Sequence, residues 1–296
     1  MIVITAPTGD IASRVVSDLI DGPEPVRLIA RDPSKLSAGI RQKAEVVEGS
    51  HSDLSVVEKA LIGADSLFWL VPSDITAHSA EAVYVDFARP VARALENSNV
   101  THVVSISAVG RNWSGDAGHA SASIRMDGML AATGVNYAAL ACVSLMSNVA
   151  RQVQAIAHQN TFYAPAPPDL ELRHVAPVDV ATKSAQLLRD RDWKGFIEVP
   201  MLGPVDLSFN EIASTISDCL GREIVFQQTA MDEVRSMMLS NGASEGMATA
   251  MTSMLTAKND GLDHLIERSP EELRASPTSF RKWCETELAG KIEIRK

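Results

Sequence analysis

Met1-Ile-Val-Ile-Thr-Ala-Pro-Thr-Gly-Asp-Ile-Ala12 is the stretch from which the rest of the chain is read. Residues 2–4 are an apolar run of strand type, and a tight loop follows at once. After it Ile11, Val15, Val16, Leu19 and Ile20 recur at helical spacing. The order strand, loop, helix sets the unpaired N–H groups and partial positive charge of a helix N-terminus at the mouth of the loop, where they suit a phosphate. The dinucleotide fingerprint G-x-G-x-x-G uses each glycine for a separate steric reason. Here Gly9 alone survives, in the register Ala6-x-x-Gly9-x-x-Ala12. Thr5, Thr8, Gly9, Asp10 and Ile11 are the candidate phosphate-binding residues, while Pro7 stiffens the turn and removes one N–H. Cβ atoms at Ala6 and Ala12 are expected to crowd the pyrophosphate approach and the helix–strand contact, weakening affinity modestly.

Working outward, Val26-Arg-Leu-Ile-Ala30 reads as a second strand that ends at Arg31-Asp-Pro-Ser-Lys35. An acidic residue at that point accepts hydrogen bonds from the ribose 2′-hydroxyl of NAD and repels a 2′-phosphate. The chain has Arg31 there, with Lys35 one helical turn later, so NADP(H) is favoured over NAD(H); a solvated surface arginine is the alternative. Asp32 ahead of Pro33 reads as a helix cap. Residues 44–47 form a short third strand, and Asp53 caps the helix after it. The apolar run 66–71 is a strand covered on both faces, and Pro72 breaks it. Ligands of open parallel sheets bind outside the carboxyl ends of the strands, which places Val71 and Pro72 beside the cofactor. A long helix is expected over 79–97, then a strand over 102–107 in which Ser105 and Ser107 point to one face, with Ser105 a candidate cofactor-binding residue. A helix over 121–133 and a sixth strand over 135–140 complete a doubly wound parallel sheet, a Rossmann α/β fold.

A net charge of −10 argues against an electrostatic nucleic-acid footprint. No apolar stretch reaches the length of a membrane helix, and no basic-then-apolar leader precedes the first strand. The reading is a cytoplasmic protein with no direct nucleic-acid or membrane partner and no metal. Cys142, Cys219 and Cys284 are widely spaced in apolar or helical contexts and read as structural thiols rather than ligands or nucleophiles.

Beyond Cys142 the character changes to a smaller mixed α/β region. Residues 1–142 are assigned to the dinucleotide-binding domain and 143–296 to a substrate-framing region, part of whose strands and helices pack on the sheet. Ser208 and Glu211 form a capping-box pattern, and Gly221 ends that helix. Residues 231–255 hold six of the eleven methionines. They offer either an adaptable wall over an apolar substrate or ordinary helix–helix core.

Several short motifs in order resemble one family. Ile4-Thr-Ala-Pro-Thr-Gly9, Ala30-Arg-Asp-Pro-Ser-Lys35, Gly63-Ala-Asp-Ser-Leu-Phe68, Val100-Thr-His-Val-Val-Ser-Ile-Ser107, Thr133-Gly-Val-Asn-Tyr137 and Leu202-Gly-Pro-Val-Asp-Leu-Ser208 are similar to those of the NmrA-like atypical short-chain dehydrogenase/reductases. The resemblance spans essentially the whole chain. It implies a Rossmann domain holding NADP(H) and a smaller C-terminal region framing a cleft. Its members include quinone and enone reductases as well as cofactor-sensing regulators.

The departures from the family bear on chemistry. No Tyr-x-x-x-Lys occurs in the chain, so the general acid commonly used by short-chain dehydrogenases is missing. Aligned on Thr133-Gly134, Ser123 and Asp127 fall where quinone-reductase-like relatives carry a His and a Glu. Leu140-Ala141-Cys142 stands where relatives have Leu-Arg-Pro, so one basic group near the cofactor is missing. The candidate catalytic set is Ser107 and Ser123 as hydrogen-bond donors, Asp127 as orienting group and His119 as a mobile proton source. The expected activity is NADPH-dependent reduction of a small apolar quinone, enone or carbonyl. A non-catalytic NADP(H)-binding sensor is the alternative. A second copy of the chain, as a homodimer, is a further partner the sequence leaves open.

Overall fold

The structure is a computed structural model that describes residues 1–293. Its strands are β1 (Ile2–Thr5), β2 (Val26–Ala30), β3 (Glu45–Glu48), β4 (Ser66–Trp69), β5 (His102–Ala108), β6 (Asn136–Cys142), β7 (Ser144–Leu145), β8 (Thr161–Ala164), β9 (Leu172–Val175), β10 (Phe196–Met201), β11 (Asp206–Leu207) and β12 (Val225–Gln228). Seven of them form one sheet in the order β10-β6-β5-β4-β1-β2-β3, and every pairing in it is parallel. The order of connection reverses between β1 and β4, so the ligand crevice lies at their carboxyl ends.

The helices that cover this sheet are α1 (Asp10–Leu19), α2 (Ala38–Lys43), α3 (Leu54–Leu61), α4 (Phe87–Leu95) and α5 (His119–Ala131). The short α6 (Ser147–Ala150) and α7 (Val153–Gln159) lead to α8 (Pro177–Arg189). Both faces are buried, which is why the strands are apolar throughout rather than alternating. Ile2, Ile4, Leu28 and Phe68 pack with α1 and α8 on one face. Val3, Ile29, Leu67 and Trp69 pack with α3, α4 and α5 on the other. Although β10 and α8 lie late in the chain, they extend the sheet beyond β6 and cover it beside α1.

The helix expected over 79–97 is not uniform. Residues Ala82–Asp86 form a π-helical turn that runs into α4, with Pro90 inside it. Proline donates no N–H and its ring clashes with the carbonyl four residues earlier, so a widened turn at Asp86 relieves that crowding. Tyr84 sits in this turn.

The rest of the chain adds α9 (Phe209–Leu220), α10 (Met231–Ser240) and α11 (Glu245–Asn259), with a three-stranded sheet β11-β9-β7 and a parallel pair β12-β8. The capping box at Ser208 and Glu211 is formed. A separate core of Phe162, Ile212, Ile216, Phe280 and Trp283 holds this region together. Among the described residues no helix is long and apolar enough to cross a membrane.

Candidate active site

The opening loop forms a tight turn in which the Gly9 N–H donates to the Ala6 carbonyl at 2.9 Å. Ala6 closes it with φ of +49°, the left-handed region that L residues enter at a cost. A Cβ on Gly9 would stand 3.3 Å from the Ala6 carbonyl oxygen, tighter than ordinary contact. Ala12, by contrast, lies fully buried inside α1. The first-turn N–H groups of Asp10, Ile11 and Ala12 have no acceptor within the helix. The Asp10 carboxylate turns away to Arg14 at 3.1 Å, and Arg14 also reaches Glu287 at 2.7 Å. The one acid in this turn is thereby neutralised, and the N–H cradle fits a pyrophosphate. Thr8 is exposed on the turn.

Thr5 is placed differently from the other loop candidates. Its side chain is fully buried, accepts from the Leu70 N–H at 2.9 Å and donates to the Phe68 carbonyl at 3.1 Å. It ties the ends of β1 and β4 together and does not face the crevice.

Arg31 and Lys35 are exposed at the end of β2. Asp32 caps the short turn after it, accepting from the Ser34 N–H at 3.0 Å. Nearby, His51 donates from Nε2 to the Leu70 carbonyl at 3.1 Å and packs edge-on to Trp69 and Phe87. Burial, opposed by that hydrogen bond and assisted by the charge of Arg31, lowers its pKa to about 4. This neutral imidazole props the end of β4 behind the half-buried Val71 and Pro72. Nothing in the local sequence singles it out, because its partners come from two other segments.

A cavity of about 140 Å³ opens at the carboxyl ends of β4 and β5. Leu70, Val71, Ile106 and Ala108 make it apolar, and Ser107, Ser123 and His119 supply its hydroxyls and imidazole. The π-helical turn delivers Tyr84 to its wall, and α11 delivers Met254. Two glycines allow α11 to come this close. A Cβ on Gly118, whose φ is +52°, would meet the Ala250 carbonyl oxygen at 1.9 Å, and one on Gly246 would meet that of His78 at 2.0 Å. Of the six clustered methionines, Met254 enters the wall, Met247 is buried among the helices, and Met237 is 57% exposed. Trp113 stands apart from this cavity, lining a more open, polar one of about 370 Å³ with Asp116, Asp232 and Arg235.

Ser105 and Ser107 share a face of β5, as their spacing predicts, but only Ser107 reaches the cavity. Ser105 is fully buried beside the Tyr137 hydroxyl, away from the crevice. Asp127 is also fully buried, directly behind Ser107. It accepts from the Ser107 hydroxyl, from the Tyr137 hydroxyl at 2.7 Å and from the Arg111 guanidinium at 2.5 Å. Arg111 lies 3.2 Å from Glu198 and 4.6 Å over the Phe196 ring, which stacks on Tyr137. Burial raises the Asp127 pKa against the pull of these donors, and burial together with Asp127 pushes the Tyr137 phenol well above its usual range. Tyr137 is therefore a fixed donor inside the network. The sequence showed Tyr137 only as part of a motif and did not identify Arg111 or Glu198.

His119 is packed edge-on to Tyr84, and its Nε2 is enclosed without a hydrogen-bond partner among the described residues. Burial lowers its pKa, so the ring facing the cavity is neutral at pH 7.

Comparison with known proteins agrees with this geometry. Residues 7–190 match the family model described as NAD(P)H-binding. The chain is 26% identical over 288 residues to the (4-alkanoyl-5-oxo-2,5-dihydrofuran-3-yl)methyl phosphate reductase of Streptomyces griseus, covering 96% of both chains. It superposes with a TM-score of 0.79 on an NADPH-dependent quinone oxidoreductase of Escherichia coli in complex with NADPH, at 19% identity, covering 96% of this chain and 98% of that one. With NmrA, a negative transcriptional regulator in complex with NADP, the TM-score is 0.72 at 12% identity, covering 99% and 97%. The chain belongs to the NAD(P)H-binding family.

Proposed function

We propose that this member of the NAD(P)H-binding family is an NADPH-dependent oxidoreductase that reduces a small, apolar quinone, enone or carbonyl. The observation that carries the reading is the convergence of Ser107, Ser123 and His119 on one apolar cavity at the ends of β4 and β5. That is where an open parallel sheet binds its ligand. When bound, NADPH supplies a hydride there. The first-turn N–H groups of α1 hold the pyrophosphate, and Arg31 with Lys35 offers positive charge to a 2′-phosphate. Ser123 and the neutral His119 donate hydrogen bonds to the substrate oxygen, while Asp127 holds Ser107 in place. Quinones and activated enones delocalise the charge they gain, so they need little help from an acid, and the missing Tyr-x-x-x-Lys is tolerated.

The test is NADPH oxidation with a panel of quinones, enones and ketones. Turnover is expected for the electron-poor members, and Ser123→Ala should lower it by about a hundredfold if that hydroxyl is the main oxyanion donor. No turnover across the panel, together with micromolar NADP binding, would instead favour an NADP(H) sensor. That second reading is supported by the absent Tyr-x-x-x-Lys pair and by the commitment of Asp127 to its buried network.

A further inference from the structure

Ser107 faces the cavity with its only proton already committed. A hydroxyl carries one donor and two acceptor lone pairs, and the Ser107 proton goes to the buried Asp127. Arg111 is a permanent cation that can only donate, and at 2.5 Å it donates to the same carboxyl oxygen, Oδ2, that Ser107 meets. Tyr137 fills the other carboxylate oxygen at 2.7 Å. The oxygen that Ser107 meets is thus already held by a donor that cannot accept, and it carries no proton to return to Ser107. What Ser107 offers the cavity is a lone pair. Ser123 and His119 line the same cavity, and among the described residues the His119 Nε2 has no hydrogen-bond partner.

We infer that Ser107 acts as a hydrogen-bond acceptor and that the site selects a ligand bringing an N–H or O–H to it. The polarity of the wall is then split. Ser123 and His119 face the carbonyl oxygen, and Ser107 faces a donor elsewhere on the ligand. An amino- or hydroxy-substituted quinone or enone carries that pattern, and so does the carboxamide of a nicotinamide ring. The inference rests on the oxidoreductase reading for the nature of the ligand, while its hydrogen-bond polarity is measured by binding alone. Asp127 and Arg111 act through Ser107 as positioning residues.

The experiment is equilibrium binding to the full chain. One ligand pair is an aminonaphthoquinone and its dimethylamino counterpart, added to protein saturated with NADP⁺. The other is NADP⁺ and its acetylpyridine analogue, which lacks the carboxamide N–H. In one pair the N–H ligand should bind about threefold to tenfold more tightly, the equivalent of one hydrogen bond. Ser107→Ala should erase that preference and Ser107→Thr should keep it. A preference within the quinone pair assigns the donor to the substrate, and one within the cofactor pair assigns it to the carboxamide. Asp127→Asn, whose amide oxygen stays toward Ser107 and Arg111 while its NH2 turns to the Tyr137 hydroxyl, should keep the preference. Circular dichroism establishes that this buried variant folds, and the two Ser107 variants decide the matter without it. Equal affinities in both pairs, a preference that survives Ser107→Ala, or no binding of any of the four ligands would overturn the inference. Failure to oxidise NADPH with the preference intact would overturn the oxidoreductase reading alone.

Discussion

Ala6 and Ala12 both stand where the dinucleotide fingerprint has glycine, yet their replacement by glycine should act in opposite directions. Ala6 has φ of +49°, where an L residue is strained by about 1–2 kcal/mol. Glycine removes that strain but loses about 0.4–1 kcal/mol through the greater entropy of the unfolded chain. Ala6→Gly should therefore stabilise the protein by about 0.5–1 kcal/mol, a rise of about 1–3 °C in Tm for a chain of this size. It should also tighten NADPH binding, because a Cβ is removed from the phosphate approach. Ala12 is helical and fully buried. Ala12→Gly should cost about 1 kcal/mol in helix propensity and about 0.8 kcal/mol more for the lost buried methyl. Urea denaturation measures both effects through the midpoint at unchanged slope, and calorimetric titration measures the affinity. A lower midpoint for Ala6→Gly, or the same sign for both variants, would refute the argument that the loop is strained at Ala6 alone.

Three further outcomes follow from the geometry. Arg31→Asp should weaken NADPH binding by about tenfold or more while sparing NADH, because it sets a carboxylate against the 2′-phosphate; an unaltered ratio of dissociation constants would contradict the second-strand argument. Arg111→Ala leaves Asp127 buried without its cation and should destabilise the fold by about 3–5 kcal/mol in denaturant titrations, with part of the loss recovered in the Arg111→Ala, Asp127→Asn double variant. Burial holds both His51 and His174 at a pKa of about 4. The unfolded chain takes up protons at these residues from about pH 6.5 downward while the folded chain does not. Their contribution is therefore complete above pH 6.5 and is lost as pH falls toward 4. The raised carboxyls of Asp127 and Glu198 act in the other direction, so the useful comparison is with His174→Gln. Its urea midpoint should fall less steeply over this window than that of the wild type, and parallel profiles would count against the assignment.

The sequence by itself determined the doubly wound sheet, the strand–loop–helix unit that opens the chain, the basic end of β2 and the Ser208–Glu211 cap. Each is written in neighbouring residues: a short apolar run, a turn, a helical period, a capping residue three positions from its partner. Strand alternation also put Ser105 and Ser107 on one face. It could not say that this face is closed over Ser105 and open at Ser107, because a period reports which residues share a side and not what covers it. The same limit hid the role of Thr5, whose partners lie in β4. Asp127 was legible as a site candidate, but its three donors come from the end of β5, the following loop and the start of β6. Only the rotation of α5 against the sheet brings Arg111 and Tyr137 to one carboxylate, and no local spacing encodes a helix rotation. The strain at Ala6 belongs to the same class, since a φ of +49° in an alanine is imposed by the surrounding turn and not by its own preference. The tertiary structure thus decided the feature that matters most for chemistry at the opening loop's neighbouring cavity: Ser107, read from the sequence as a donor, has its proton drawn inward by a buried carboxylate.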